Sequence, residues 1–181
     1  MNLREKYQKE TVAYLKKQFA LSNDLAVPKI TKVTLNIGIG KAKDDAKMME
    51  TAENTITRIT GQKPIFTKSK KSISAFKVRE GMKVGIKVTL RGQRMWDFID
   101  KLVSVAFPRV RDFRGLNPKI IDNRGNLNIG FKEHIVFPEI KSDEIEKIHG
   151  LEVAITSTAG DFTKGLALFK NLGFPFKEDN K

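Results

Sequence analysis

The sequence predicts an α+β fold. It is a two-layer sandwich whose mostly antiparallel sheet carries helices on one face and leaves the other face open. Three observations lead there. Segments near 29–37, 83–91, 127–131 and 151–155 alternate apolar and polar residues, the period-two pattern of strands buried on one side only. Segments near 3–19, 44–60, 93–107 and 161–172 place apolar residues at helical spacing. The two kinds of element are interspersed along 181 residues without an internal repeat or a low-complexity linker, so helices are at hand to cover one face of the strands. One domain, 1–181, is the simplest organisation, with an N-terminal helix over 1–22 and a core of about 25–177.

In order, Leu3, Tyr7, Thr11, Tyr14 or Leu15, and Phe19 recur at helical spacing until Ser22, Asn23, Asp24 and Pro28 end the run. Val33, Leu35 and Ile37 then point one way, with Lys32, Thr34 and Asn36 the other. Asp44 and Asp45 open the next helix, where carboxylates suit the positive end of the helix dipole. Met49, Ala52, Ile56 and Ile59 form its stripe, and Gly61 sits where a capping glycine belongs. Ile65 to Thr67 has the length of a short strand. Ser69 to Gly81 has poor periodicity and reads as a loop or an extended arm, long for a connection in a compact domain. Val84, Ile86, Val88 and Leu90 alternate with Lys83, Gly85, Lys87, Thr89 and Arg91. A helix from about Gln93 to Phe107 turns Met95, Phe98, Ile99, Leu102 and Val105 inward, with Trp96 partly buried. After a charged loop over 108–125, Leu127, Ile129 and Phe131 alternate with Asn126, Asn128 and Gly130. Phe137-Pro138 marks a turn, and 142–146 a short capped helical turn. Leu151, Val153 and Ile155 alternate with Glu152, Ala154 and Thr156. The last helix, Asp161 to Leu172, turns Phe162, Leu166, Phe169 and Leu172 inward before Gly173 and Pro175 stop it.

Composition narrows the function. Thirty-four Lys and Arg stand against 21 Asp and Glu, for a formal net charge of +13 and a pI near 9.9. Such a field makes nucleic acid the leading partner class. With no cysteine, disulfides, thiolate zinc sites and cysteine nucleophiles are excluded, and His134 and His149 alone leave little for a histidine site. No metal or other cofactor is expected. The N-terminus lacks a signal-peptide stretch, and no window approaches the roughly 20 apolar residues of a membrane span, so the expectation is a cytoplasmic protein with no membrane partner. Gly38-Ile39-Gly40 follows a strand as a dinucleotide fingerprint would, but Lys43 replaces the third glycine and Ala42 the Ser or Thr of a phosphate loop. No acid pair and no nucleophile–histidine arrangement stands out, so no enzyme is expected. The rival readings are a nucleotide-binding enzyme built on Gly38 to Lys43 and a free-standing RNA chaperone or translation factor.

The charge is concentrated. From Gln62 to Arg94 there are ten basic residues and one acid, Glu80. If the two lysine-bearing strands share a sheet, Lys32, Thr34, Asn36, Lys87, Thr89 and Arg91 lie on its open face, with Asn128 and Thr156 extending it. Cations suit phosphate, and Asn and Thr suit sugar and base edges. An ordinary solvated face is the alternative. The arm is a second candidate: Lys70, Lys71, Lys77 and Arg79 are interleaved with Ser72, Ser74 and Phe76. Its alternative is a flexible basic loop. Arg109, Arg111 and Arg114 suit bidentate contacts to phosphate or carboxylate, or ion pairs with Asp112 or Asp122. Five acids (Glu139, Asp143, Glu144, Glu146, Glu152) suggest a face turned away from nucleic acid, either meeting a basic protein or merely solvated.

A series of motifs in order resembles one family. Val27-Pro28-Lys29-Ile30 and Leu35-Asn36-Ile37-Gly38-Ile39-Gly40 begin it. Gly61-Gln62-Lys63-Pro64, Lys70-Lys71-Ser72-Ile73, Phe76-Lys77-Val78-Arg79-Glu80-Gly81 and Val88-Thr89-Leu90-Arg91-Gly92 continue it. Pro108-Arg109-Val110-Arg111-Asp112-Phe113-Arg114-Gly115 and Phe137-Pro138-Glu139-Ile140 complete it. Together they resemble the bacterial large-subunit ribosomal protein L5 family. Ser69, Leu127 and His134 depart from its usual Ala, aromatic and Gln. The resemblance implies a non-catalytic protein that binds 5S rRNA in the central protuberance through an open sheet face. Asn36, Gln62 and Thr89 match the RNA-facing residues, with Phe76 nearby. The loop bearing Lys70, Lys71, Ser72, Lys77 and Arg79 matches the one that reaches P-site tRNA. A bridge to a small-subunit head protein is implied on the far side, where Arg109, Arg111, Arg114, Glu139, Asp143 and Glu144 are the residues assigned to it. The further partners implied are 23S rRNA and other 5S-associated large-subunit proteins, without obligate homo-oligomers.

Overall fold

The computed structural model describes residues 2–40, 45–140 and 148–177. The α+β fold is as expected. Five strands, β1 (Ile30–Gly38), β2 (Ile65–Lys68), β3 (Lys83–Leu90), β4 (Leu127–Phe131) and β5 (Leu151–Ser157), form an antiparallel sheet in the order β2-β3-β1-β5-β4. The apolar side of each alternation in β1, β4 and β5 is buried, and the polar side is left partly or fully open; in β3, Ile86, Val88 and Leu90 are buried but Val84 is half-buried, and Gly85 is buried on the polar side. The chain divides into two compact units. The first holds Met1–Val33, Leu90–Ile129 and Ala154–Lys181, and the second Thr34–Thr89 and Gly130–Val153. The division falls within β1, β3, β4 and β5.

In the first unit, helix α1 is α-helical over Leu3–Lys6, π-helical over Tyr7–Thr11 and α-helical again over Val12–Gln18. Its apolar residues recur in steps of four, which drift around a helix of about 3.6 residues per turn. The wider π turn returns them to one side. Leu3, Thr11 and Leu15 are buried, Tyr14 stays 49% exposed, and the hydroxyl of Tyr7 donates to the carbonyl of Pro28 at 3.0 Å. Burial of that phenol raises its pKa.

Helix α3 (Gly92–Lys101) also runs into a π turn, Leu102–Ala106, and then Phe107–Arg109. The extra residue per turn carries Val105 outward, to 36% exposure, and turns Ala106 inward instead, correcting the expected stripe. Trp96 is buried against Tyr7, with ring centroids 5.5 Å apart.

Helix α4 (Phe162–Leu172) starts at Asp161, whose carboxylate accepts from the backbone N–H and hydroxyl of Thr163. It ends at Gly173 in the left-handed conformation, φ 96°. It buries Gly165, Leu168, Phe169 and Leu172. Phe162 and Leu166, expected inward, are only half-buried, because the side of closest approach is centred on Gly165, whose backbone lies against Gly125. The Asp122 carboxylate accepts from the backbone N–H of Arg124 and from the backbone and side-chain N–H of Asn126. Burial opposes the charge, but these hydrogen bonds, with the positive charge of Arg124, outweigh it and hold the carboxyl below its usual range.

In the second unit, helix α2 (Ala46–Thr60) is capped by Asp45, which accepts from the N–H of Met48 at 3.2 Å, and closed by Gly61 at φ 64°. Ala52, Ile56 and Ile59 are buried as expected. Asp44, Lys41 to Lys43 of the failed nucleotide motif and the expected turn at 142–146 lie outside the described residues. His134 and His149 are both buried and stack at 3.9 Å between centroids, with their planes 3° apart.

Candidate nucleic-acid interface

The second unit supplies most of the expected open face. Thr34 and Asn36 on β1 and Lys87 and Thr89 on β3 lie on the polar side of adjacent strands, opposite the buried Leu35, Ile37, Ile86 and Val88. Lys32, half-buried, and Arg91, the exposed residue preceding α3, fall in the first unit. Asn128 is exposed and Thr156 half-buried on their strands.

Gln62 follows the left-handed turn at Gly61. Its side-chain amide donates from Nε2 to the carbonyl of Thr89 at 3.3 Å. That bond brings Gln62 to Thr89 although 27 residues separate them. Thr60, whose hydroxyl donates to the carbonyl of Ile56 at 2.7 Å and bonds Gln62, holds the turn in place.

Strand β2 adds residues to this face. In its antiparallel pairing with β3, Ile65 stands opposite Lys87 and Thr67 opposite Gly85, and facing partners share a side. Ile65 is 61% exposed. The hydroxyl of Thr67 lies across Gly85: a Cβ there would meet Thr67 Oγ1 at 2.8 Å, the Ile37 carbonyl oxygen at 3.1 Å and Asn36 Oδ1 at 3.8 Å. A glycine at 85 therefore leaves room on the polar side of β3 for the Thr67 hydroxyl, beside the Ile37 carbonyl and the Asn36 amide oxygen of β1. On the other side of β2, the Lys83 ammonium sits 4.1 Å from the centroid of the Phe66 ring, a cation–π contact.

Of the five acids of the expected acidic face, Asp143, Glu144 and Glu146 lie outside the described residues, and Glu139 and Glu152 are described. Glu152 is exposed on β5 and accepts from Asn36 Nδ2 at 3.5 Å, so it belongs to the open sheet face. Its alternation with Leu151 and Val153 already carried that signal. The contributions of Ile65 and Thr67 required the register of β2, which a four-residue strand does not disclose.

The arm is not a structureless loop. At its root the N–H of Ser69 donates to the carbonyl of Met82 at 2.8 Å, and the N–H of Gly81 donates to the carbonyl of Ser69 at 2.9 Å. Farther out, Ile73 and Val78 pair antiparallel through bonds of 2.8 and 3.1 Å. A single 3-10 turn over Ser74–Phe76 closes the hairpin, with Lys77 left-handed at φ 49°. The hydroxyl of Ser72 accepts from the N–H of Glu80 at 2.9 Å. Turn hydrogen bonds replace alternation here, which is why periodicity missed it. Lys70, Lys71, Ser72, Lys77 and Arg79 are all exposed on the hairpin, and Phe76 is 71% exposed in its turn.

Arg109, Arg111 and Arg114 are exposed in the first unit, around Asp112 at φ 52° and Phe113, which stacks on Phe107 at 5.4 Å. Glu139 belongs to the second unit, and Asp143 and Glu144 lie outside the described residues. Among the described residues no group of three or more His, Cys, Asp or Glu could hold a metal ion, and no helix is long and apolar enough to cross a membrane.

Comparison with known proteins agrees along the chain. A family model described as "Ribosomal protein L5" matches residues 23–79, and a second model, described as the C-terminus of the same ribosomal protein family, matches residues 83–176. The chain is 52% identical over 176 residues to the "Large ribosomal subunit protein uL5" of Colwellia psychrerythraea, covering 97% of each. It is 53% identical over 175 residues to the protein of that name from Francisella tularensis subsp. novicida, covering 97% of this chain and 98% of the relative. To the one from a Marinomonas species it is 50% identical over 176 residues, covering 97% of this chain and 98% of the relative.

Proposed function

Because the chain belongs to the ribosomal protein L5 family, a family of structural constituents of the large ribosomal subunit and not of enzymes, we propose that its open sheet face binds 5S rRNA and helps to seat it in the central protuberance. The observation that carries this is the grouping of Asn36, Gln62, Thr89 and Lys87 on the uncovered side of β1 and β3. Neutral donors and acceptors there address sugar and base edges, and the lysine addresses phosphate. A surface selected for charge alone would not need the amides.

The hairpin arm has different chemistry. It projects exposed cations and an exposed aromatic ring on two backbone-paired segments, a combination suited to phosphate and to base or ribose stacking. Its role is contact with P-site tRNA. Arg109, Arg111, Arg114 and Glu139, with Asp143 and Glu144, serve the bridge to a small-subunit head protein. The remaining proposed partners are 23S rRNA and the other 5S-associated proteins. The protein acts as a single RNA-binding domain over 1–181 without obligate homo-oligomerisation.

Asn36→Ala and Thr89→Ala should each weaken 5S rRNA binding by about 1 kcal/mol, roughly fivefold, with the melting temperature unchanged. Filter binding with a 5S transcript measures this, and unchanged affinity in both variants would remove the sheet-face assignment. Replacing Lys70, Lys71, Lys77 and Arg79 together by Gln should leave 5S affinity within about twofold. It should also alter tRNA placement in reconstituted subunits, read by chemical footprinting of the tRNA. Loss of 5S binding instead would place the arm on the wrong RNA.

A further inference from the structure

An acid on a face that receives RNA needs a reason. Glu152 stands exposed on β5 with its carboxylate 3.5 Å from the side-chain nitrogen of Asn36. Bare electrostatics makes it a liability, because it repels phosphate. Its hydrogen bonding gives it a use. A carboxylate only accepts, so the end of the Asn36 amide turned toward it must be the NH2 group. The amide oxygen is thereby turned the other way, and Oδ1 lies 3.8 Å from the position a Cβ would occupy on Gly85. The Thr67 hydroxyl oxygen and the Ile37 carbonyl oxygen flank that same position at 2.8 and 3.1 Å.

We propose that Glu152 is a positioning residue of the RNA face: it holds the Asn36 amide with its oxygen outward, so that the ground over Gly85 reads hydrogen-bond donors, namely a ribose 2′-hydroxyl or a base amino group. This rests on the assignment of 5S rRNA to the sheet face. The Asn36 amide oxygen only accepts, which disfavours a phosphate, whose oxygens also accept, and favours the donors that RNA presents; the Thr67 hydroxyl beside it can accept as well as donate. Lys87, across from Ile65 on the same side, supplies the neighbouring cation for the backbone. The face thus divides into an acceptor patch for donors of sugar or base and a cationic rim for phosphate. Gly85 belongs to the arrangement as well, since any side chain there would occupy the space of the Thr67 hydroxyl.

The test separates positioning from charge by sign. Removing a negative charge from an RNA-binding surface should, by electrostatics alone, tighten binding to every RNA. With the full chain, Glu152→Ala, which removes the acceptor together with the charge, is expected to weaken binding of a 5S transcript about fivefold, while binding of poly(U) at the same salt is unchanged or tighter. Glu152→Gln, whose amide oxygen can still accept from Asn36, should lose less than Glu152→Ala. In an Asn36→Ala background, Glu152→Ala should cause no further loss. A 5S affinity that stays equal or rises in Glu152→Ala overturns the proposal, as does a full, independent loss in the Asn36→Ala background. Asn36→Ala and Thr89→Ala distinguish the two levels. If both leave 5S binding unchanged, the sheet-face assignment itself has failed; if either weakens binding while Glu152→Ala does not, only the role of Glu152 has.

Discussion

Gly165→Ala is expected to destabilise the protein by about 3 kcal/mol or more, the upper end of what overpacking costs. The methyl group would stand 2.5 Å from the Cα of Gly125, 2.8 Å from its carbonyl oxygen and 3.0 Å from its carbonyl carbon. All three atoms are backbone, so no side chain can swing aside. The loop at Gly125 cannot retreat cheaply either. Gly125 is left-handed at φ 77°, its carbonyl accepts from the Ser157 hydroxyl at 2.6 Å, and the Asp122 carboxylate binds the N–H groups on both sides of it. Either α4 moves away from the packing that buries Phe169 and Leu172, or the loop gives up its hydrogen bonds. Urea unfolding compares the variant with Gly130→Ala, where nothing lies within 4 Å of the added carbon and little change is expected. Equal midpoints for the two variants would refute the close-approach argument.

The second large effect depends on pH. His134 and His149 are stacked and buried, and burial, the largest influence on each, lowers both pKa values. His149 is pushed to about 4, with the neighbouring His134 lowering it further. An unfolded histidine has its ordinary value near 6.5. Above that value neither state binds the proton, and the folded protein keeps its full stability. As pH falls below 6.5 the unfolded chain is protonated first, so stability is lost progressively until about pH 4, where the folded His149 also takes a proton. Between pH 7 and 5 this one group should cost roughly 2 kcal/mol. In His149→Phe, which keeps a flat ring for the stack, that part of the pH dependence should vanish. Thermal unfolding of both proteins at pH 7 and 5 measures it, and parallel losses would exclude His149 as the source.

Much of this architecture was legible in local patterns. Alternation located β1, β3, β4 and β5 because each has one wet side. Asp45, Gly61, Asp161 and Gly173 marked helix ends through cap chemistry that acts within a few residues. The failures share a different cause. Val105 and Ala106 exchanged places because a π turn changes the helical angle, and nothing in composition announces it. Leu166 gave way to Gly165 because a backbone contact with a distant loop, not apolarity, selected the inward side of α4. At the candidate site, Asn36, Thr34, Lys87 and Thr89 followed from alternation in two strands. Thr67 and Ile65 did not, because their side depends on pairing with β3. Glu152 was visible on its strand, yet its charge associated it with the acids around 139–146 until its proximity to Asn36 placed it beside the amide.

The hairpin at 69–82 has a thermodynamic consequence. Ordering a free basic loop around a partner would cost on the order of 1–2 kcal/mol of conformational entropy for each residue fixed. Here cross-strand bonds at Ser69, Gly81, Ile73 and Val78 have already restricted that freedom during folding. Little ordering is left to offset the contacts made on arrival, so a few exposed cations can give useful affinity. Nor is refolding required on departure, so an arm ordered in this way can release a bound partner without delay.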